Sequence, residues 1–354
     1  MRKLLLISFI LVCGVLLATS LTGCGSSALL PTTSTVFASI RNDGVGGATV
    51  GMTLEQRQAA RLATKAGPAT SQPEAITVDS GSINIYLWSG PAVGNERKVT
   101  DTPGAYDAVE ISRDGTKAVF VATVNGWEQI FTVAVPATGQ TVSQPVQLTS
   151  DSFNHYAAHI SANGSKVAFL QDDTTYVGQQ LCVISNASGA TATCLDFSAT
   201  TPVLQGTYKD HPSWTPDGKI VFEAFWLRGA DEIFKVNADG SGLTQITNNG
   251  AGGNWDDCPS VSADGTKMVA ERHNVGITYL DIVVYDLNTK QMTTILSGQD
   301  KGASSYDPQF LGRNNQIVFV SQQTTDTSYE IYVMNSDGSN MTRLTQNTYD
   351  DFFD

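Results

Sequence analysis

The sequence predicts an all-β fold, a six-bladed β-propeller with four antiparallel strands per blade, and three observations carry that prediction. Motifs recur at a period near fifty residues, a glycine turn stands at the same place in most recurrences, and an apolar triplet follows each turn. Charged residues make up only 16% of the chain while glycine is plentiful, which suits many short strands joined by turns.

The period is counted on the residues that end successive short β-like runs. Ser112, Ser161, Thr215 and Ser262, with Leu311 in the equivalent place, follow one another at steps of 49, 54, 47 and 49 residues. Strand-rich units of that length stack as propeller blades. Asp114-Gly115, Asn163-Gly164, Asp217-Gly218 and Asp264-Gly265 supply the positive φ that a tight hairpin needs. The triplets Ala118-Val119-Phe120, Val167-Ala168-Phe169, Ile220-Val221-Phe222, Met268-Val269-Ala270 and Ile317-Val318-Phe319 read as second strands, apolar on both faces because blades pack face to face. Third strands follow at Gln129-Ile130-Phe131, Glu232-Ile233-Phe234, Asp281-Ile282-Val283 and Glu330-Ile331-Tyr332. Fourth strands end the units at Leu148-Thr149, Ile246-Thr247 and Leu344-Thr345.

The sixth blade is expected to be shared between the two ends of the chain. Thr35 to Ser39, Ile83 to Trp88 and Arg97 to Thr100 match second, third and fourth strands. The missing first strand is assigned to Tyr349 to Phe353, so that the C-terminal tail joins the N-terminal blade and removes two open edges. Residues 52–66 interrupt that blade as a helical insertion, with Thr53 and Gln56 at capping-box spacing and Gly67-Pro68 as a stop.

The segments Phe234-Lys235-Val236-Asn237-Ala238-Asp239-Gly240 and Tyr332-Val333-Met334-Asn335-Ser336-Asp337-Gly338 each run on to Ile-Thr or Leu-Thr. They resemble the TolB-type propeller repeat, and the resemblance covers roughly residues 76 to 354. Two units depart from it: Ala158 stands where others have Pro212, Pro259 and Pro308, and Arg313-Asn314 replaces Asp-Gly. The resemblance implies an envelope scaffold that binds a protein or peptide partner, without the additional amino-terminal domain of TolB, for which there is too little room before residue 76.

At the amino terminus Arg2 and Lys3 precede an apolar run from Leu4 to Ala18, the pattern of an export signal. Leu21-Thr22-Gly23-Cys24 resembles the lipobox of bacterial lipoproteins. That likeness implies a signal peptide over residues 1–23, a lipidated Cys24, a tether over 24–34 and the propeller over 35–354. Gly25 in place of Asp favours the outer membrane, facing the periplasm or exported to the surface. The expected location is thus the cell envelope, with membrane contact through the lipid anchor only and a monomeric body.

The formal charge of -13 lacks the basic footprint of a nucleic-acid binder. First strands line a propeller's channel, so residues at their starts surround one mouth. Here these are Tyr106, Asp107, Tyr156, Asp210, His211, Trp255, Asp256, Asp257, Tyr306, Asp307, Asp350 and Asp351, an acidic and aromatic set suited to a basic or amide-rich peptide. Four of them, Asp107, Asp210, Asp257 and Asp307, are candidate ligands for a calcium ion, the one cofactor considered. The structural alternative is that each aspartate bonds the backbone of its own turn.

No Gly-x-Ser-x-Gly elbow occurs, and no catalytic residue is assigned. The expectation is a binding protein and not an enzyme. The competing reading is a metal-dependent, lyase-like carbohydrate-active enzyme, for which His155, His211 and His273 would have to cluster in the channel. Cys182 and Cys194 flank a turn between adjacent strands and are expected to form a disulfide. Cys258, before Pro259, reads as a small buried residue with no matching histidine.

Overall fold

The computed structural model describes residues 36–42, 83–89, 96–98 and most of 106–344, with side chains from Glu110 onward. The lipobox with Cys24, the 52–66 insertion and the tail with Asp350 and Asp351 lie outside the described residues, as do the side chains of Tyr106 and Asp107.

The first sheet has three strands, β1 (Val36–Asn42), β2 (Ile83–Ser89) and β3 (Glu96–Lys98), paired in that order. Five sheets of four antiparallel strands follow, each in sequence order. Blade 1 holds β4 (Tyr106–Ile111), β5 (Lys117–Val124), β6 (Trp127–Ala134) and β7 (Val146–Gln147). Blade 2 holds β8 (His155–Ile160), β9 (Lys166–Asp172), β10 (Gln179–Ser185) and β11 (Thr193–Cys194). Blade 3 holds β12 (Lys209–Trp214), β13 (Lys219–Trp226), β14 (Ala230–Asn237) and β15 (Thr244–Gln245). Blade 4 holds β16 (Trp255–Val261), β17 (Lys267–His273), β18 (Asp281–Asp286) and β19 (Met292–Leu296), and the short helix α1 (Gly298–Lys301) follows it. Blade 5 holds β20 (Ser305–Leu311), β21 (Gln316–Ser321), β22 (Glu330–Asn335) and β23 (Thr342–Arg343).

The all-β propeller with four-stranded blades is therefore present, but among the described residues it has five such blades and not six. The N-terminal sheet shows three strands among the described residues, and the segment expected to complete it, Tyr349 to Phe353, lies outside them. Among the described residues no helix is long and apolar enough to cross a membrane.

The hydrophobic core lies between blades, which explains the apolar triplets. Val167 and Phe169 face blade 1, packing with Val119, Val121 and Ile130. Their neighbours Ala168 and Leu170 face the other way, packing with Trp214, Ile220 and Phe222 of blade 3. Successive side chains of a strand point to opposite faces, so a strand buried between two blades must be apolar throughout. Removing a ring as deeply buried as Phe169 should cost about 3–5 kcal/mol.

The conserved place of the hydroxyl that ends each first strand also has a physical cause. Ser112, Ser161, Thr215 and Ser262 each accept a bond from the backbone N–H of Lys117, Lys166, Lys219 and Lys267, at 2.8–3.1 Å, locking the hairpin across the glycine turn. In the outer half of blade 2, Cys182 stands opposite Cys194 in the register of β10 and β11, and the two sulfurs are bonded.

Candidate functional site at the channel mouth

The first strands contact one another in succession, β4 with β8, β8 with β12, β12 with β16 and β16 with β20, and so form the inner wall. At the turn end Arg113 of blade 1 reaches the carbonyl of Ala263 in blade 4, at 3.4 Å, and these two with Asp264 and Asn315 line a cavity there. The opposite end is the mouth.

Every first strand carries one extra residue relative to its partner. The register shifts between Asp107 and Glu110, Tyr156 and His159, Asp210 and Ser213, Asp257 and Ser260, and Tyr306 and Gln309. The inserted residue takes a positive φ in blades 2 to 5: 48° at Ala157, 45° at His211, 53° at Cys258 and 48° at Asp307. Such a bulge re-aims the side chain it carries. In blades 1 and 2 that position holds Ala108 and Ala157, whereas in blades 3, 4 and 5 it holds His211, Cys258 and Asp307.

These three side chains meet. Cys258 Sγ lies 3.6 Å from His211 Nε2 and 3.4 Å from Asp307 Oδ1. Behind them stand carboxylates from the second strands. Glu223 Oε2 lies 3.2 Å from His211 Nδ1 and accepts the backbone N–H of Cys258 at 3.0 Å. Glu271 Oε1 accepts the backbone N–H of Asp307 at 2.6 Å. The contacts of Cys258 with His211, Glu223 and Asp307 and the bond of the Asp307 amide to Glu271 cross from one blade to the next, whereas His211 and Glu223 pair within blade 3, so the polar groups help fix the blades' relative placement. Alongside, His273 Nε2 sits 3.1 Å from Asp257 Oδ2 and 3.9 Å from Glu271 Oε2, with the Trp255 ring stacked on it at 4.4 Å. The carboxylates of Glu223, Asp231 and Asp257, all buried, also converge within 4.8 Å.

The predicted mouth residues thus divide. Asp210, His211, Trp255, Asp257 and Asp307 belong to this cluster or border it, Asp210 also accepting from the backbone N–H of His211 at 2.9 Å and from the Tyr208 hydroxyl at 3.2 Å. Asp256 does not open on the channel. It is fully buried inside blade 4, held by Arg272 at 3.0 Å, the Tyr285 hydroxyl at 2.7 Å and Asn249 at 2.7 Å, and burial pushes its carboxyl above the usual range against the pull of Arg272. Tyr156 donates to Asp172 at 3.3 Å, and burial with that carboxylate raises its phenol far above the ordinary value. Tyr306 is a core residue packed against Val318, Val320 and Ile331, edge-on to Tyr329.

Two expectations about metals meet the geometry here. None of the convergent groups among the described residues contains more than one of Asp210, Asp257 and Asp307, and the side chain of Asp107, the fourth expected ligand, lies outside them. The three histidines do not cluster either: His155 is wholly buried in blade 2, between the Glu128 carbonyl at 3.2 Å and Gln171 Oε1 at 3.3 Å. Cys258, by contrast, does face a histidine. Aligning the repeats at the residue before Pro212, Pro259 and Pro308 would have paired it with His211. The same alignment exposes Glu223 and Glu271 where the other blades have Val121, Leu170 and Val320.

No protein-family model matches the chain, and no curated protein matches it in sequence. Its fold does match solved structures. TolB from Acinetobacter baumannii is 15% identical with a TM-score of 0.55, over 72% of this chain and 58% of that one. A puromycin-hydrolyzing peptidase from Mycobacterium tuberculosis is 14% identical with a TM-score of 0.53, over 74% and 41%. Oligogalacturonate lyase from Vibrio parahaemolyticus is 15% identical with a TM-score of 0.51, over 75% and 71%. The chain spans less than two thirds of the first two. At these identities the likeness shows a TolB-type propeller fold and nothing finer. It also overturns the exclusion of catalysis drawn from the sequence, because a peptidase and a lyase share the fold with TolB.

Proposed function

We propose that this chain is a binding propeller of the bacterial cell envelope whose mouth, on the side of blades 3 to 5, receives a cationic group of a protein or peptide partner. The single observation that carries this reading is the excess of carboxylates there. Asp210, Glu223, Asp231, Asp257, Glu271 and Asp307 crowd around two histidines, and the cations close by are engaged elsewhere, Arg272 with Asp256 and Lys209 Nζ with the Gln179 carbonyl at 2.9 Å. Carboxylates gathered in a region of low dielectric favour an incoming positive charge and steer it by their field. The Trp255 and His273 stack offers a flat face beside them for a cation or an amide. The export signal and the lipobox at Cys24 support placement at the outer membrane on a lipid anchor.

The test is affinity capture from detergent-solubilised envelope with the intact protein and with Asp210→Lys, a half-buried mouth position. Wild type should retain a specific partner, released as salt rises, and the variant should lose it while still showing a cooperative melt. Identical recovery by both chains, or none by either, refutes the reading.

A further inference from the structure

We propose that His211, Cys258 and Asp307 form a binding site for a zinc-class divalent cation at the channel mouth. The inference goes beyond the binding of a cationic partner and does not depend on it.

The separations match those of a coordination shell. Zinc bonds of about 2.0–2.3 Å to nitrogen, sulfur and oxygen in tetrahedral array place neighbouring donors about 3.4–3.6 Å apart. The observed separations are 3.6 Å from Nε2 to Sγ and 3.4 Å from Sγ to Oδ1, and all three donor atoms lie within 4.8 Å of one another. Each donor comes from the same bulge position of a successive blade, so the backbone and not side-chain freedom brings them together.

The shell behind the donors has the form that metal sites use. With its Nδ1–H donated to Glu223, His211 turns its Nε2 lone pair toward Cys258, the carboxylate–histidine arrangement that fixes the tautomer of a ligand. Glu223 is itself held by the Cys258 amide, and Asp307 is held through its own amide by Glu271. Three protein donors leave a fourth position for water, the layout of an open zinc site.

The donor chemistry selects among metals and against a rival role. Thiol and imidazole donors suit zinc and its borderline neighbours, whereas calcium and magnesium demand oxygen. The rival is a nucleophilic thiol activated by His211 and oriented by Glu223. Asp307, at 3.4 Å, opposes a bare thiolate electrostatically, and a divalent cation between the two removes that opposition. Binding is balanced by proton release: the Cys258 S–H bond breaks, the proton passes to solvent, and a sulfur–metal bond forms, while His211 gives a neutral lone pair and Asp307 an existing carboxylate.

The experiment is cobalt titration of the chelator-treated full chain, followed by zinc competition. One cobalt per chain should bind, with a thiolate charge-transfer absorption and the strong visible bands of a tetrahedral site, and zinc should abolish both. Cys258→Ser should lose the thiolate band, and Glu223→Gln should weaken zinc binding about 10- to 100-fold. His211→Ala, which places at the bulge the residue blade 2 already has there, should fold normally and lose stoichiometric binding. Absence of the thiolate band in wild type, an unchanged spectrum in Cys258→Ser, or displacement of cobalt by an equal concentration of calcium overturns the proposal. Cys258→Ser leaves the carboxylates in place, so partner capture and metal binding can fail separately.

Discussion

Blades 2 and 4 fill one structural position with opposite chemistry. Two residues before the bulge, facing its partner in the second strand, blade 2 places His155 against Gln171, and blade 4 places Asp256 against Arg272. His155 and Asp256 are fully buried and both are satisfied, His155 by Gln171 and a carbonyl, Asp256 by Arg272, Tyr285 and Asn249. The difference extends to the bulge itself, Ala157 in one blade and Cys258 in the other. A propeller repeats its backbone and is free to vary what each repeat presents, so the half built from blades 1 and 2 serves as scaffold and the half built from blades 3 to 5 gathers the ionisable groups. Charge in the second half is held by specific partners, Asp256 by Arg272 inside blade 4 and Glu223 by the Cys258 amide of the next blade, which makes that half more sensitive to the loss of any one of them.

The largest expected effect breaks the pair in blade 4. Arg272→Ala leaves Asp256 charged and buried and should cost about 3–5 kcal/mol in denaturant unfolding. Gln171→Ala at the matching place in blade 2 removes a neutral bond and should cost about 1–2 kcal/mol. Equal costs would show that the two blades do not differ in the way described. A middle-sized effect comes from Glu271→Val, which installs the residue type of Val320 in blade 5. It strips the acceptor from the Asp307 amide and should cost about 1–3 kcal/mol. It should also loosen the cobalt site without removing a ligand.

Acid titration sharpens a second contrast, between the turns and the interior. Asp264 has its carboxyl held well below the ordinary 3.8 by the Ser262 hydroxyl and by the Thr266 amide and hydroxyl; Asp239 and Asp337 are lowered in the same way by Ser241 and Ser339. Folding favours their charged forms, so the stability they contribute is complete above the unfolded value and is lost as pH falls below about 3.8 toward the depressed folded values. Asp256 and Glu232 go the other way, raised chiefly by burial: the fold disfavours their charge, and acidification relieves that cost before the turns begin to fail. Stability should therefore hold as pH falls from neutral and drop below about 3.8, and Asp264→Asn should flatten that lower arm. A drop that begins near neutrality, or an Asp264→Asn profile that overlays wild type, would contradict this division.

Much of this was legible in the residues. The period, the glycine turns and the apolar triplets name the second strands of five blades because each reflects a local requirement, positive φ at a turn and burial on both faces of a strand between blades. The fourth strands instead form two residues earlier than Leu148-Thr149, Ile246-Thr247 and Leu344-Thr345, at β7, β15 and β23. The number of blades was not legible, since the sixth rested on joining two distant ends and Tyr349 to Phe353 carries no signal beyond its order in the repeat. The acidic mouth was legible as a ring of first-strand starts, but membership was not. Asp256 stands two residues before the bulge and turns into blade 4, Tyr306 stands where blades 3 and 4 have Asp210 and Asp257 but packs into the core, and the bulge residues His211, Cys258 and Asp307 turn to one another. Glu223 and Glu271 were hidden for a simpler reason: Glu223 interrupts an apolar run and Glu271 ends one, and they stand out only when the second strands are laid over one another.

The smallest effect tests the bulge on which the comparison of blades depends. Ala157 sits at φ 48°, where a Cβ crowds the backbone, a conformation that costs a non-glycine residue about 1–2 kcal/mol. Glycine removes that crowding but leaves the unfolded chain more freedom, a loss of about 0.4–1 kcal/mol. Ala157→Gly should thus stabilise the protein by about 0.5–1 kcal/mol. His211→Gly relieves the same crowding but gives up the contact with Glu223, at 3.2 Å, so it should gain nothing or lose slightly. The sign of the difference between the two variants is the informative quantity. If glycine stabilises both positions alike, His211 contributes nothing by its contacts. If it destabilises Ala157, the first strand of blade 2 does not carry the bulge that aligns it with the polar blades.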